Sequence, residues 1–382
     1  MKCKETEGES VHHSLTFPAF LCYNRLIFTN SNSYKLQMSI QNKIFEVLQM
    51  KHVFIPAIIL IIISFFLFSC EEGEFNEDEL NKSGNYIIFD RSIKWSPDSK
   101  MIALIQNNSL VVKDVITGNT RALTGTGYYD DPSWSPDSQK IVYMSASRDL
   151  KADLWIKSAD GKDIAKIFVS SLAADSHPRW SPDGKWILFH SYRDRDIAIW
   201  IKNSEFTGEQ EMKITNDSAI DQNAEWSPDG KKFAFESKRT GNFDIWIAEL
   251  NNPSNLKQIT NESSADTLPL WSPDGTKIAF KSDRFGIYGI WVKNADGSGD
   301  TIHISQGFDD GDDHDWSPDN KYIAFVANGT VYVRNSDGTG DPIEIGKGLE
   351  PKWSPDGTKM AYVAFESNKY TMKIIDLPEN LK

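Results

Sequence analysis

Trp226-Ser227-Pro228-Asp229-Gly230 contains one of seven Trp-Ser-Pro-Asp tetrapeptides, the others beginning at Trp95, Trp134, Trp180, Trp271, Trp316 and Trp353. Successive tryptophans lie 39, 46, 46, 45, 45 and 37 residues apart, a period typical of one supersecondary unit copied in series. Serine suits position i of a type I turn, proline pre-sets φ at i+1, and aspartate fits i+2. The next residue is glycine in four copies (Gly184, Gly230, Gly275, Gly357), serine in two (Ser99, Ser138) and Asn320 in one. Each copy therefore reads as the bend of a hairpin. An apolar strand leaves it, as in Lys277-Ile278-Ala279-Phe280 and Lys359-Met360-Ala361-Tyr362.

Working outward from Trp226, a strand enters through Ala224-Glu225-Trp226 and a second leaves through residues 232–236. A loop at 237–242 leads to a third strand at 243–248, and a fourth runs over 256–260. Four short strands joined by turns make an antiparallel meander, and at this period such meanders are propeller blades. Asp160-Gly161, Asp296-Gly297 and Asp337-Gly338 supply the positive φ that hairpins between third and fourth strands require. The aromatic residues at fixed repeat positions are read as packing between blades.

Strand counting predicts an all-β, seven-bladed β-propeller of four-stranded antiparallel blades over 84–382. The seventh unit has strands at Trp353, 359–363 and 370–375 and then the sequence stops, while a spare strand, Asn85-Tyr86-Ile87-Ile88-Phe89, precedes the first tryptophan. Ile87 stands eight residues before Trp95, as Ile345 does before Trp353. The N-terminal strand is therefore expected to complete the last blade and close the ring.

Residues 71–382 carry 35 Lys and Arg against 50 Asp and Glu, a net of −15, which argues against a nucleic-acid partner. The three cysteines, Cys3, Cys22 and Cys70, all precede the repeats, so no disulfide or cysteine metal site is expected there. Residues 53–69 carry no Asp, Glu, Lys or Arg and follow Met50-Lys51-His52. This run is short for a membrane span but suits the apolar region of a signal peptide. It ends in Leu67-Phe68-Ser69-Cys70, which resembles the lipobox of bacterial lipoproteins. That resemblance makes residues 50–70 a lipoprotein signal peptide and Cys70 the lipidated first residue of the mature chain. Residues 1–49 are read as a misassigned start or as unstructured, and the acidic run at 71–83 as a tether.

The Trp-Ser-Pro-Asp-Gly motif, the Ile-Ala-Phe strand, the Ser-x-Arg-x-Gly loop and the Ile-Trp strand together resemble the repeat of the TolB-like β-propeller family. Similar repeats occur in prolyl-oligopeptidase-type peptidases and oligogalacturonate lyases. The resemblance covers about 84–382 and departs from TolB itself, which has six blades and a separate N-terminal α/β domain. It implies that the tryptophan strand is innermost, so the loops entering it share one face with the loops between second and third strands.

On that face Asp175, Asp221 and Asp266 stand five residues before a tryptophan, with Asp130 and Asp131 before Trp134 and His177 before Trp180. They are taken as an acidic binding opening, against the alternative that the aspartates only satisfy their own loops. Before Trp316, Asp309, Asp310, Asp312, Asp313 and His314 form an oxygen-rich cluster that suits a divalent cation such as Ca²⁺, without the spacing of an EF-hand. Among His177, His190, His303 and His314, only the first and last are placed to face a channel, fewer than a histidine metal site needs. No Gly-x-Ser-x-Gly elbow is present.

The expected function is that of a non-catalytic binding or scaffold lipoprotein of the bacterial cell envelope, on the periplasmic or surface-exposed side of the outer membrane. Its partner would be an envelope protein or an extracellular polysaccharide, met through the acidic loop face. The alternative is a metal-dependent polysaccharide lyase or hydrolase of the oligogalacturonate type.

Overall fold

A computed structural model describes residues 91–146, 151–193, 196–205, 211–215, 218–305, 311–366 and 369–381, with Gly311 and Asp312 described in backbone only. The first ninety residues, with Cys70, the tether and the strand expected at 84–90, lie outside them. The described chain is all-β apart from a 3₁₀ turn at Glu379–Leu381.

Hydrogen bonding assembles the strands into six sheets, five of four strands and one of six, each antiparallel and each paired in chain order. The reference repeat runs through Asp221–Trp226, Lys232–Ser237, Asp244–Glu249 and Asn252–Gln258. The expectation of seven separate blades is corrected to six sheets. The physical reason is the strand Ile343–Trp353, which is eleven residues long. Its first part pairs with Thr330–Asn335 as the outer strand of the sixth repeat, and its last part pairs with Lys359–Glu366 as the innermost strand of the seventh. The two repeats thus share one continuous sheet.

Each Trp-Ser-Pro-Asp forms the predicted bend. In the reference copy the Gly230 amide donates to the Ser227 carbonyl (2.9 Å), and the Lys231 and Lys232 amides donate to Asp229 Oδ1 (3.1 Å) and Ser227 Oγ (3.0 Å). Gly230 sits at φ 67°, which explains glycine there. Ser99, Ser138 and Asn320 adopt the same left-handed conformation (61°, 60° and 66°) and add something glycine lacks. Each side chain accepts the aspartate amide of the preceding copy: Ser138 from Asp98 (3.2 Å), Asn320 from Asp274 (2.9 Å) and Ser99 from Asp356 (3.0 Å).

The core lies between sheets. Ile199, Ile201, Trp226, Phe233 and Phe235 pack in one cluster that joins the third and fourth repeats. The cluster of Ile93, Trp95, Ile102 and Leu104 includes Ala361, Val363 and Met372, so the first sheet packs directly on the last. The motif tryptophans are 4–8% exposed, apart from the half-buried Trp180, and most donate their indole N–H to the preceding repeat. Trp134 donates to the carbonyl of Lys94 (2.9 Å), Trp226 to Arg179 (3.1 Å), Trp271 to Glu225 (3.2 Å) and Trp316 to Leu270 (3.2 Å). Trp95 donates to Lys352 (3.0 Å), carrying the relay from the seventh repeat back to the first. Among the described residues the Trp180 and Trp353 indoles have no acceptor.

This difference gives a paired test. Replacing Trp316 with Phe should cost about 1–2 kcal/mol beyond the loss of packing, because the Leu270 carbonyl loses its donor. Trp353→Phe, which removes an unmatched buried N–H, should be at least that much milder by denaturant titration; equal costs would refute the relay as a source of stability.

Candidate functional site

The residue three before each motif tryptophan is left-handed: Ser92, Asp131, His177, Asn223, Leu268, Asp313 and Glu350, at φ 56°, 50°, 51°, 52°, 53°, 27° and 52°. At the same point the register between first and second strands slips, as between Asp130 and Ser133 or Gln222 and Glu225. Every innermost strand therefore carries a β-bulge that re-aims the backbone beside the ring axis. Asp131, Asn223 and Asp313 are side chains that tolerate this conformation, whereas Leu268 and Glu350 give no sequence hint of it.

The bulges bring neighbouring side chains together. His177 Nε2 lies 3.5 Å from Asp131 Oδ2, and Glu350 Oε2 accepts the Ser92 amide at 2.7 Å. Ser92 Oγ donates to Asp130, whose carboxylate also accepts the Asp131 amide (3.0 Å). The His177 ring stacks on His190 at 4.8 Å. His190 is buried and accepts the Ala224 amide at Nε2 (3.1 Å), which leaves its proton on Nδ1. Burial first, and then the neighbouring His177 and Arg179, hold its pKa well below the usual histidine value. Asp130, Asp131 and His177 are thus assembled as a half-buried polar cluster at the junction of the first three repeats.

Two residues further along, the position just before the tryptophan is charged in five of the seven repeats: Lys94, Arg179, Glu225, Asp315 and Lys352. Arg179 Nε pairs with Glu225 at 2.5 Å. Lys352 Nζ reaches the His314 carbonyl (3.3 Å), and Asp315 accepts the Trp353 amide (2.8 Å). Burial pushes the Asp315 carboxyl up against the opposing pull of Lys352.

The other expected binding residues are placed differently. Asp175, Asp221 and Asp266 have no exposed surface and do not line an opening. Each meets an arginine eighteen residues later: Arg193 with Asp175 (3.2 Å), Arg239 with Asp221 (2.9 Å) and Arg284 with Asp266 (3.0 Å). Each guanidinium also lies over a third-strand tryptophan, 4.5 Å from Trp200, 4.9 Å from Trp246 and 4.6 Å from Trp291. A buried carboxylate needs such a partner, so these aspartates serve the scaffold. The signal was present in the sequence as the Ser-x-Arg loops, whose arginines had not been matched to the aspartates.

Of the cation cluster, Asp309, Asp310 and the Asp312 side chain lie outside the described residues. His314 is buried and Asp313 occupies the bulge. Among the described residues no group of three or more His, Cys, Asp or Glu is arranged to hold a metal ion. His303, on the outermost strand of its repeat, stacks on Trp291 at 4.0 Å.

Among the described residues, twelve large apolar side chains are exposed, and seven stand at the end of the blades opposite the Trp-Ser-Pro-Asp bends: Tyr128, Leu172, Tyr192, Phe285, Ile287, Tyr288 and Phe365. Phe285 is 70% exposed yet held against Trp291 (5.3 Å), and Lys281 lies over Tyr288 (4.4 Å). This end is therefore aromatic as well as charged.

Two stability tests follow. Asp266→Asn should cost about 3 kcal/mol by stranding Arg284, and adding Arg284→Met should recover part of the loss in a double-mutant cycle; additive costs would defeat the pairing. His190, neutral when folded, takes up its proton only on unfolding, so it should lower stability as pH falls below the ordinary histidine range. Melting temperatures at pH values near 7.5 and 5.5 should therefore diverge less in His190→Gln than in the native protein.

The described residues are similar in fold to a putative TolB from Agrobacterium tumefaciens, at TM-score 0.52 and 23% identity over 71% of this chain and 98% of that one. They are also similar in fold to an oligogalacturonate lyase from Vibrio parahaemolyticus, at TM-score 0.64 and 15% identity over 78% and 93% of the two chains. In sequence, the chain is 29% identical over 124 residues to an uncharacterized Agrobacterium fabrum protein, covering 29% of this chain and 42% of that protein. It is 36% identical over 89 residues to the Tol-Pal system protein TolB of Histophilus somni, covering 23% and 20%. The chain thus spans less than half the length of these curated relatives. The TolB beta propeller domain profile matches residues 65–214 and 176–345. This protein belongs to the TolB β-propeller domain family.

Proposed function

We propose that this protein is a non-catalytic binding protein of the bacterial envelope that docks a protein partner on the end of the propeller opposite the Trp-Ser-Pro-Asp bends. The observation that carries this reading is the gathering of exposed aromatic and aliphatic side chains there, with Phe285 and Tyr288 held in place by Trp291 and Lys281. Preordered aromatic groups lose little entropy when a partner covers them, and they dominate the energetics of protein interfaces. Similarity to a Tol-Pal system protein supports an envelope location and a protein partner. Asp130, Asp131 and His177 lie at the same end, where they would supply polar specificity beside the apolar contacts.

The proposal extends to the anchor and the ring. Cys70 is the lipidated residue that tethers the propeller through 71–83, and residues 84–90 pair beside Lys369–Asp376 at the outer edge of the last sheet. The direct packing of the first sheet on the last supports such a closed ring. A lyase reading is less well supported: His190 and His303 are engaged with the Ala224 amide and the Trp291 ring, and no three-ligand grouping is present among the described residues.

Cross-linking in intact cells should recover one protein partner with the native chain. Recovery should fall at least about tenfold with Phe285→Ser/Tyr288→Ser, as expected for losing two aromatic anchors, and persist with Ile116→Ser away from that end. Undiminished capture by the double variant would refute the docking face. Metabolic labelling with an alkyne fatty acid should mark the native protein and spare Cys70→Ser; equal labelling would rule out the anchor.

A further inference from the structure

Among the seven repeats, only the third has an imidazole three places before its tryptophan, and that imidazole, His177, follows a hydroxyl, Ser176. His177 Nδ1 lies 3.3 Å from Ser176 Oγ, and its Nε2 lies 3.5 Å from Asp131 Oδ2 of the preceding repeat. A carboxylate can only accept, so Nε2 carries the proton and Nδ1 is left to accept from the Ser176 hydroxyl. One tautomer thus satisfies both contacts. Stacking on His190 at 4.8 Å holds the ring in place, and burial keeps His190 neutral, so that ring sets no positive charge against proton uptake by His177. Ser176 is half-buried and the His177 side chain is 34% exposed, so the pair meets solvent at the end of the blades opposite the bends.

We propose that Ser176 is a nucleophilic serine that accepts acyl groups from small esters, with His177 as its base and Asp131 as the positioning carboxylate. The Oγ oxygen bonds to the ester carbonyl carbon as its proton passes to His177 Nδ1. The bond from that carbon to the alkoxy oxygen then breaks, and the alcohol leaves with the proton from Nδ1, so that no oxidant or reductant is needed. Asp131 holds the ring in the accepting tautomer and faces the positive charge that the ring carries between the two transfers. This inference goes beyond the docking reading and does not depend on it: one acyl group is taken up per chain, without turnover.

The test treats the native protein with an alkyl fluorophosphonate at neutral pH and maps the phosphonylated peptides by mass spectrometry. Ser176 should be labelled at least about a hundredfold faster than exposed serines such as Ser254 and Ser298, the lower end of what a positioned base contributes. Labelling of Ser176 no faster than theirs would overturn the proposal. His177→Asn and Asp131→Asn both keep a side chain that tolerates the left-handed bulge. The first should bring Ser176 down to the level of the exposed serines, and the second should slow its labelling at least about tenfold. Unchanged labelling in His177→Asn would remove the base from the assignment and the proposal with it. Prior incubation with phenyl acetate should leave an acetyl group on Ser176 and block the probe; labelling that ignores phenyl acetate would overturn esters as the class of acyl donor.

Discussion

The structure depends on one repeated constraint: a sheet with two apolar faces must find a neighbour on each. No single repeat can bury Trp226 and Phe233 on one face and Ala234, Ile245 and Ile247 on the other without a repeat on each side. The indole relay gives that requirement a direction. Each participating tryptophan donates to the carbonyl just before the previous tryptophan, and the bond from Trp95 to Lys352 joins the ends. Apolar packing supplies the bulk of the stabilisation, while the N–H to carbonyl bonds fix how one innermost strand sits against the next. The bends add three further links between successive copies, among them that of Ser99 with Asp356.

The same constraint explains what could be read from the amino-acid order alone. The strands and bends were legible because their chemistry is local: proline sets a turn, glycine permits a positive φ, and β-branched residues fill a pleated surface. Sheet number was less legible, because it depends on whether Ile343–Trp353 breaks between repeats or continues as one strand. Nothing in Gly346-Lys347-Gly348 distinguishes a loop from an extended bridge between hairpins. Pairing on both sides of that segment decides it.

Candidate residues were harder to place, since sequence spacing gives position along a strand without giving burial. Asp175, Asp221 and Asp266 stand in equivalent positions on the loop face, and equivalence was the clue to their role. A feature copied three times with an arginine and a tryptophan at constant offsets is a property of the repeat. Asp131 and His177 depart from the repeat, and the bulges bring them together. Bulge position itself was invisible, because a left-handed Leu268 is imposed by the register of its neighbours and by Glu236, which accepts its amide at 2.7 Å.

Division of labour along each innermost strand follows from these contrasts. Its tryptophan packs on the neighbouring blade and is the same in all seven copies, so it can tolerate little chemical change. The residues one and three places earlier are freed from inter-blade packing by the bulge and vary in charge from repeat to repeat: Lys94, Arg179, Glu225 and Asp315 in one set, Ser92, His177 and Glu350 in the other. Buried charges of both signs at close quarters are costly unless each is matched, and here the matching is uneven. Arg179 has Glu225 as a direct partner, whereas Lys94 makes no ion pair among the described residues and is influenced by Glu225 and Asp131 only through space. A scaffold selected for stability alone would have an apolar or paired residue at that position, as the fifth repeat has in Leu270. The position before the tryptophan thus varies while the tryptophan itself stays, and variation of that kind is where a repeat protein can change its surface chemistry without disturbing its fold.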